Sequence, residues 1–136
     1  MNGIEVGNKR MEPKVLLSTL WIVVMINMLK ADILGGFIPG AAEEVAKTAA
    51  SAGASIPQLM LVGAVMGNLG IAMIILSRVL KHGLNRWVNI VVSIITIAYI
   101  WGGMSPHPHY IFIASVETLC LLLIFWISLK WRSAEA

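Results

Sequence analysis

The segment PQLMLVGAVMGNLGIAMIILSRVL, Pro57 to Leu80, decides the fold of this protein. A helix needs roughly 20 apolar residues to cross the ~30 Å hydrocarbon layer of a bilayer. The first ionisable residue of the segment is Arg78, close to its end. Pro57 suits the first turn of a helix, where its missing N–H costs nothing. The segment therefore predicts a membrane-spanning helix.

Three further segments have similar length and apolar character. Together the four predict spans at about 15–34, 57–80, 87–104 and 110–129. GGFIPG, KHGLNR and GGMSPHPH separate them with turn-forming residues. Of the 136 residues, 58% are hydrophobic and 12% are charged, whereas soluble domains carry about 25% charged residues. We expect an all-α polytopic membrane protein, one domain built as a four-transmembrane-helix bundle.

Lysine and arginine are distributed unevenly between the two predicted sides of the membrane. Only Lys30 and Lys47 fall on one side, and the other eight fall on the opposite side: Lys9, Arg10, Lys14, Arg78, Lys81, Arg86, Lys130 and Arg132. The positive-inside rule then places both termini in the cytoplasm. The net charge of +3 reflects this topology, and we expect no nucleic-acid partner. The predicted location is a bacterial cytoplasmic membrane, crossed several times.

The loop 35–56 on the predicted outer side is long for a connection. Its centre, AAEEVAKTAASAGAS, has Glu43 and Glu44 early and Lys47 one turn later. This order of charges favours a short helix. Such a helix would either lie on the surface or form a lid over the bundle.

Glu117 is the most informative polar residue, since it lies inside the fourth predicted span. At 1.5 Å per residue it is about 10 Å from the outer boundary. A charge at that depth costs on the order of 2–3 kcal/mol. Glu117 should therefore face the bundle, where it either forms a structural ion pair with Lys30 or belongs to a working site.

Several polar side chains have depths similar to that of Glu117, which predicts a polar pocket in the outer half of the membrane. In acid–base chemistry Glu117 would be the buried acid, Asp32 the base or cation stabiliser, and Tyr99 an orienting donor. The residues predicted to contact a ligand are Asn27, Lys30, Asn68, Trp101 and Tyr110.

Small residues form a seam along the second span. Gly63, Gly67 and Gly70 predict close packing between helices, and Asn68 beside them could also hold helices together. The seam permits a homodimer.

In the third span, Asn89, Ser93 and Thr96 share one stripe, with Arg86 at its cytoplasmic end.

Three segments carry a family resemblance: ADILGGFIPGAAEE (31–44), NRWVNIVV (85–92) and HYIFIASVETL (109–119). Together they resemble a family of small, functionally uncharacterised four-span bacterial membrane proteins, loosely akin to DoxX-like proteins. The resemblance implies a four-helix bundle and no established chemistry. The positions it highlights are Asp32, Pro39, Glu44, Arg86, Trp87, Asn89 and Glu117.

The predicted function is to bind, or act on, a lipophilic small molecule, with isomerase- or cyclase-like acid–base chemistry as one form of it. A small proton-coupled transporter or exporter is an alternative, although LSTLWIVVMI lacks the carboxylate that small multidrug exporters carry in their first helix. A structural or accessory membrane subunit is another. The expected partners are membrane lipids and the small molecule.

Metal and cofactor chemistry has little support in the sequence. His107 and His109 flank Pro108 in a loop, where histidines are mostly solvated, so we expect no metal site. The single cysteine, Cys120, allows no internal disulfide and no CxxC redox pair. No cofactor is expected.

Overall fold

Five α-helices are present in the computed structural model, which describes residues 11–103 and 105–132. Their bounds are Pro13–Gly35 (α1), Ala41–Ser51 (α2), Ile56–Val79 (α3), His82–Gly102 (α4) and Pro108–Lys130 (α5). Three residues used in the sequence predictions lie outside the described part: Lys9 and Arg10 of the charge bias, and Met104 at the predicted end of the third span.

Four of these helices, α1, α3, α4 and α5, are long and apolar enough to cross a membrane. The described residues contain no strand. The all-α fold with four long apolar helices is therefore confirmed, as expected of a multi-pass membrane protein. The remaining helix, α2, is 11 residues long and lies within the loop for which a short helix was predicted.

Local sequence signals fix where the long helices begin. A proline stands in the first turn of α1, α3 and α5, where proline does not break a helix. At the start of α3, Ser55 Oγ accepts from Gln58 N at 3.3 Å. Gln58 Oε1 in turn accepts from Ser55 N at 2.9 Å. This reciprocal capping box ends the preceding loop. Gly40 precedes α2 with a φ of 82°, a conformation that favours glycine.

The connection between α3 and α4 is shorter than the sequence suggested. KHGLNR was predicted as a turn with the span starting at Trp87, but α4 begins at His82. The reason is Asn85, which is buried and donates from Nδ2 to Ser77 O at 2.7 Å and to Leu80 O at 3.2 Å. Because Asn85 is helical and covers the last carbonyls of α3, only Leu80 and Lys81 remain between the two helices.

The helices form a bundle in which α1 contacts α3 and α5, α5 contacts α4, and the contact between α3 and α4 is smaller. The short helix α2 rests on α3. We call the end where α1 and α4 begin the terminal end, and the opposite end the α2 end. The main buried apolar side chains are Leu17, Trp21, Val24, Met73, Leu121 and Ile124.

Apolar and polar side chains are distributed as in a protein surrounded by lipid. Large apolar residues such as Phe112 (68% exposed) and Val65 (58% exposed) cover the outside of the bundle. The buried polar residues are Ser18, Ser77, Asn85, Asn89, Ser93, Thr96, Glu117 and Ser128. Because lipid offers no hydrogen bonds, polar groups at this depth must find partners within the bundle.

Candidate functional site

A buried hydrogen-bond network joins the helices near the terminal end. The side chains that form it, which we call the terminal-end network, are Ser18, Trp21, Ser77, Arg78, Asn85 and Asn89. Asn89 Oδ1 accepts from Trp21 Nε1 at 2.7 Å and from Ser77 Oγ at 3.2 Å. Asn89 Nδ2 donates to Asn85 O at 3.0 Å and to Asn85 Oδ1 at 2.7 Å. The network thereby connects α1, α3 and α4.

Two arginines extend these contacts toward the end of the bundle. Arg78 donates from Nε to Ser18 Oγ at 3.1 Å, and Ser18 Oγ donates to Ile74 O at 2.8 Å. Arg86 donates from Nε to Ser128 O at 2.9 Å and from Nη2 to Leu129 O at 3.0 Å. The last carbonyls of α5, which a helix leaves without partners, are thus bound by a cation.

The terminal-end network has little capacity left for a ligand. The amide groups of Asn85 and Asn89 use both N–H bonds and their oxygen within the protein. A fully satisfied network of this kind rigidifies a bundle and fixes how the helices fit together. The sequence predicted that Asn89 lies on a polar stripe of its helix. It did not predict the hydrogen bond from Trp21, because this residue lies within an apolar span.

Glu117 is buried like the side chains of the terminal-end network, but its hydrogen bonding differs from theirs. It is 3% exposed and is the tenth residue of α5, about 14 Å along the helix from Pro108 at 1.5 Å per residue. Within the described residues, Glu117 makes no hydrogen bond and no ion pair. A buried carboxyl group therefore faces the bundle interior with no partner in the described part of the chain.

Asp32 and Tyr99 lie closer to the α2 end, each in the last turn of its helix. Asp32 is near enough for its charge to act on both Tyr99 and Glu117. Neither the Asp32 carboxylate nor the Tyr99 hydroxyl is hydrogen-bonded to another described side chain. The three residues predicted for acid–base chemistry, which we call the α2-end site, thus share one region, and each keeps hydrogen-bonding capacity.

Two of the predicted ligand contacts have partners inside the protein. Tyr110 donates from its hydroxyl to Ile100 O at 2.9 Å, and Trp101 donates from Nε1 to Thr118 Oγ1 at 2.8 Å. Both bonds join α4 to α5 beside the α2-end site. The bond from Tyr110 ends at Ile100, the neighbour of Tyr99 in the chain, which places Tyr110 beside the same region. Thr118, which the sequence did not single out, positions Trp101.

Asn27 and Lys30 are placed differently. Asn27 is half-buried and donates from Nδ2 to Val23 O of its own helix at 2.9 Å. Lys30 is exposed and forms no ion pair among the described residues. The structural pair of Lys30 with Glu117, one of the two alternatives drawn from the sequence, is therefore absent from the described part of the chain.

Asn68 points away from the α2-end site. It is exposed on the outside of α3, and its Nδ2 donates to Ala64 O of the same helix at 3.0 Å. Its assignment as a ligand contact finds no support in this position. The glycines near it differ from one another. A Cβ at Gly63 would touch Tyr99 Oη at 3.4 Å, a Cβ at Gly70 would overlap Met25 Sδ, and a Cβ at Gly67 would meet open space.

Two histidines near the α2 end contact each other and Glu44. His107 Nε2 lies 3.4 Å from Glu44 Oε1, and the rings of His107 and His109 are stacked with centroids 5.9 Å apart. In residues 11–103 and 105–132, no group of three or more His, Cys, Asp or Glu residues is placed to hold a metal ion. The His107–Glu44 contact instead links the loop before α5 to α2.

Comparison with known proteins identifies a family but gives no activity. The model of one family matches residues 1–136, and its description reads "Family of unknown function (DUF6326)". No curated protein matches the chain, and no solved structure does.

Proposed function

Because the chain belongs to this family of unknown function (DUF6326) over its whole length, we propose a function from the chemistry of its site. The protein binds a lipophilic small molecule among α1, α4 and α5, in the half of the bundle nearer α2. Glu117 and Asp32 are the polar groups that recognise this molecule, and Tyr99 and Tyr110 line the same region.

One observation carries the proposal: Glu117 is 3% exposed within a membrane-spanning helix and has no partner among the described residues. An unpaired acid at this depth costs on the order of 2–3 kcal/mol. The buried amides of the terminal-end network show how this fold satisfies polar groups that serve stability alone. Glu117 does not follow that pattern, which supports a role in binding or catalysis.

The arrangement favours a particular class of ligand. The α2-end site offers two carboxyl groups and a tyrosine hydroxyl, and within the described residues no cation pairs with them. A carboxyl group accepts hydrogen bonds in either protonation state. The complementary ligand is therefore a lipophilic amine or alcohol, whose polar head would contact Glu117 and whose apolar body would lie between the helices.

Acid–base catalysis is a more specific form of the same proposal. Asp32, in the last turn of α1, is exposed and within reach of water at the membrane boundary, whereas Glu117 is enclosed. Two carboxyl groups in such different surroundings are suited to opposite roles in proton transfer. Glu117 would donate a proton to the bound molecule, Asp32 would accept one, and Tyr99 would orient the molecule between them.

Proton-coupled transport is a second candidate, favoured by the same lack of a counter-ion beside Glu117. Intramembrane carboxyl groups without a fixed partner are common in proton relays. In this role Glu117 would exchange a proton for a cationic substrate. An accessory subunit without a ligand is the remaining alternative.

Lipid retention tests the binding proposal. The full-length protein is purified in mild detergent after incubation with a membrane lipid extract, and the bound molecules are analysed by mass spectrometry. Glu117→Gln keeps the size of the side chain and removes its acidity. Ser115→Ala in the same helix is the matched control, because Ser115 is exposed and bonds only to Ile111 O of α5.

We expect the native protein and the Ser115→Ala variant to retain a component that Glu117→Gln loses. Conversion of that component would identify an enzyme, and retention alone would identify a carrier or binding protein. Release from proteoliposomes that depends on a proton gradient would favour transport. Identical bound molecules in all three proteins, or none in any, would rule out the proposed site.

The topology belongs to the proposal as well. The lysine and arginine bias supports cytoplasmic termini, with the α2-end site in the outer leaflet of a bacterial cytoplasmic membrane. The kinship with DoxX-like proteins rests on the three sequence segments that suggested it. Labelling of single cysteines introduced in α2 and near Arg132 by a membrane-impermeant reagent in intact cells tests the orientation. Only the α2 position should react.

A further inference from the structure

Asn68 occupies an unusual position for an amide side chain. It is the thirteenth of the 24 residues of α3, so it lies at the middle of that span, and it is exposed. Its Nδ2 bonds to Ala64 O, while Oδ1 accepts no hydrogen bond from the described residues. At the centre of a bilayer this oxygen would face hydrocarbon, which offers no donor. The position therefore requires a partner from outside the described chain.

The residues around Asn68 repeat with a spacing typical of helix pairing. Counting along α3 in steps of three and four residues gives one line of exposed side chains: Leu61, Ala64, Asn68, Ile71 and Ile75. This is the alternating a and d pattern of a left-handed helix pair, and Asn68 occupies a central a position. A single asparagine at such a position fixes the register of the paired helices and the number of helices that associate. The small side chain of Ala64 allows the partner helix to come close.

From this pattern and the position of Asn68, we propose that the protein forms a homodimer in which α3 of one copy pairs with α3 of a second copy. The five residues above, which we call the Asn68 seam, form the interface. An amide is complementary to itself, since Nδ2 of each Asn68 donates to Oδ1 of the other across a twofold axis. Two copies inserted in the same orientation would bring both side chains to the same depth. A lipid acyl chain would leave Oδ1 without a donor.

The rest of the fold leaves this surface available. Of the four long helices, α3 has the smallest share of its residues buried inside the bundle. The principal contacts of α3 are with α1, α4 and α2, whereas Glu117 lies in α5. The Asn68 seam thus faces away from the α2-end site, so the dimer does not depend on the proposed function.

Cysteine cross-linking tests the interface with two neighbouring positions. Leu61 and Val62 lie at nearly the same depth and are 64% and 51% exposed, but only Leu61 belongs to the seam. Each is replaced by cysteine in the full chain, with Cys120→Ser removing the single native thiol. We expect Leu61→Cys to form a disulfide-linked dimer under mild oxidation in lipid vesicles, several-fold faster than Val62→Cys. Equal rates for the two variants would overturn the interface.

The role of Asn68 is tested separately by Asn68→Leu. Measured by energy transfer between labelled copies in vesicles, this variant should dimerise about eight- to three-hundred-fold more weakly, given about 0.6–1.7 kcal/mol for each of the two hydrogen bonds lost between membrane helices. Its thermal unfolding as a monomer should match the native protein, because Asn68 bonds only within α3. Unchanged or stronger dimerisation of Asn68→Leu would overturn the proposal, as would a native protein that stays monomeric at high protein-to-lipid ratio.

Discussion

Trp21 Nε1 donates to Asn89 Oδ1 over 2.7 Å, which joins the first and third long helices through the centre of the bundle. Both side chains are fully buried. Trp21→Phe removes the donor and leaves a small cavity, because phenyl is smaller than indole, so we expect it to lower the free energy of unfolding by about 1–3 kcal/mol. Asn89→Ala removes four hydrogen bonds and should cost more than about 2 kcal/mol.

Reversible unfolding in mixed micelles measures both values. Ser115→Ala serves as the control and should stay within about 0.5 kcal/mol of the native protein. If Trp21→Phe and Asn89→Ala were as mild as this control, the terminal-end network would not stabilise the bundle.

Alanine substitutions at Gly70 and Gly67 compare a crowded and an open position of the same helix, α3. A Cβ at Gly70 would overlap Met25 Sδ, so Gly70→Ala must displace that side chain, at a cost of about 1–3 kcal/mol. A Cβ at Gly67 meets open space, and Gly67→Ala should be neutral or stabilising by up to about 1 kcal/mol through its better helix propensity. Unfolding of the two variants under the same conditions compares them. Equal shifts would show that α1 and α3 are not in close contact at Gly70.

Arg86 binds the end of α5 through two carbonyls, Ser128 O at 2.9 Å and Leu129 O at 3.0 Å. Arg86→Gln removes a charged donor and should lower stability by about 1.5–3 kcal/mol. Hydrogen exchange should also become faster in the last turns of α5. Arg132→Gln, which alters an exposed arginine just beyond α5, is the control and should change neither quantity. The same exchange pattern in both variants would show that Arg86 does not stabilise the end of α5.

Glu44 and His107 connect α2 to the loop before α5 across 3.4 Å, and the contact is an ion pair only when the imidazole is protonated. Glu44→Gln removes the carboxylate, so amide exchange in α2 should become faster, by no more than the about 0.2–1 kcal/mol that an exposed pair contributes. Hydrogen exchange with mass spectrometry on the segment Ala41–Ser51 measures the difference.

Glu43→Gln, at the neighbouring exposed position, is the control and should leave the exchange of α2 unchanged. The same exchange rates in Glu44→Gln and in the native protein would mean that α2 is held by other contacts.

Much of the candidate site could be predicted from the sequence because lipid penalises charge strongly. Glu117 was expected to face the bundle on grounds of depth alone, and it is buried. Asp32 and Tyr99 were placed near it by counting residues from the ends of the spans. The sequence could not decide whether Lys30 reaches Glu117, because helix rotation and the path of a long flexible side chain depend on neighbouring helices.

The sequence also left the orientation of other residues open. Asn68 was predicted to contact a ligand or to hold helices together, and the structure places it on the outside of α3. KHGLNR was read as a turn from its polar composition. Burial of Asn85 against the end of α3 makes most of that segment helical.

The sequence by itself determined that four long helices form and where most of them begin, because hydropathy over about 20 residues and proline or serine at a helix start act locally. Only the tertiary structure decided which polar groups meet. It joined Trp21 to Asn89 and left Glu117 without a partner among the described residues. The reason is physical: the periodicity of a helix fixes which side chains share a face, but the rotation of that face follows from packing against the other helices.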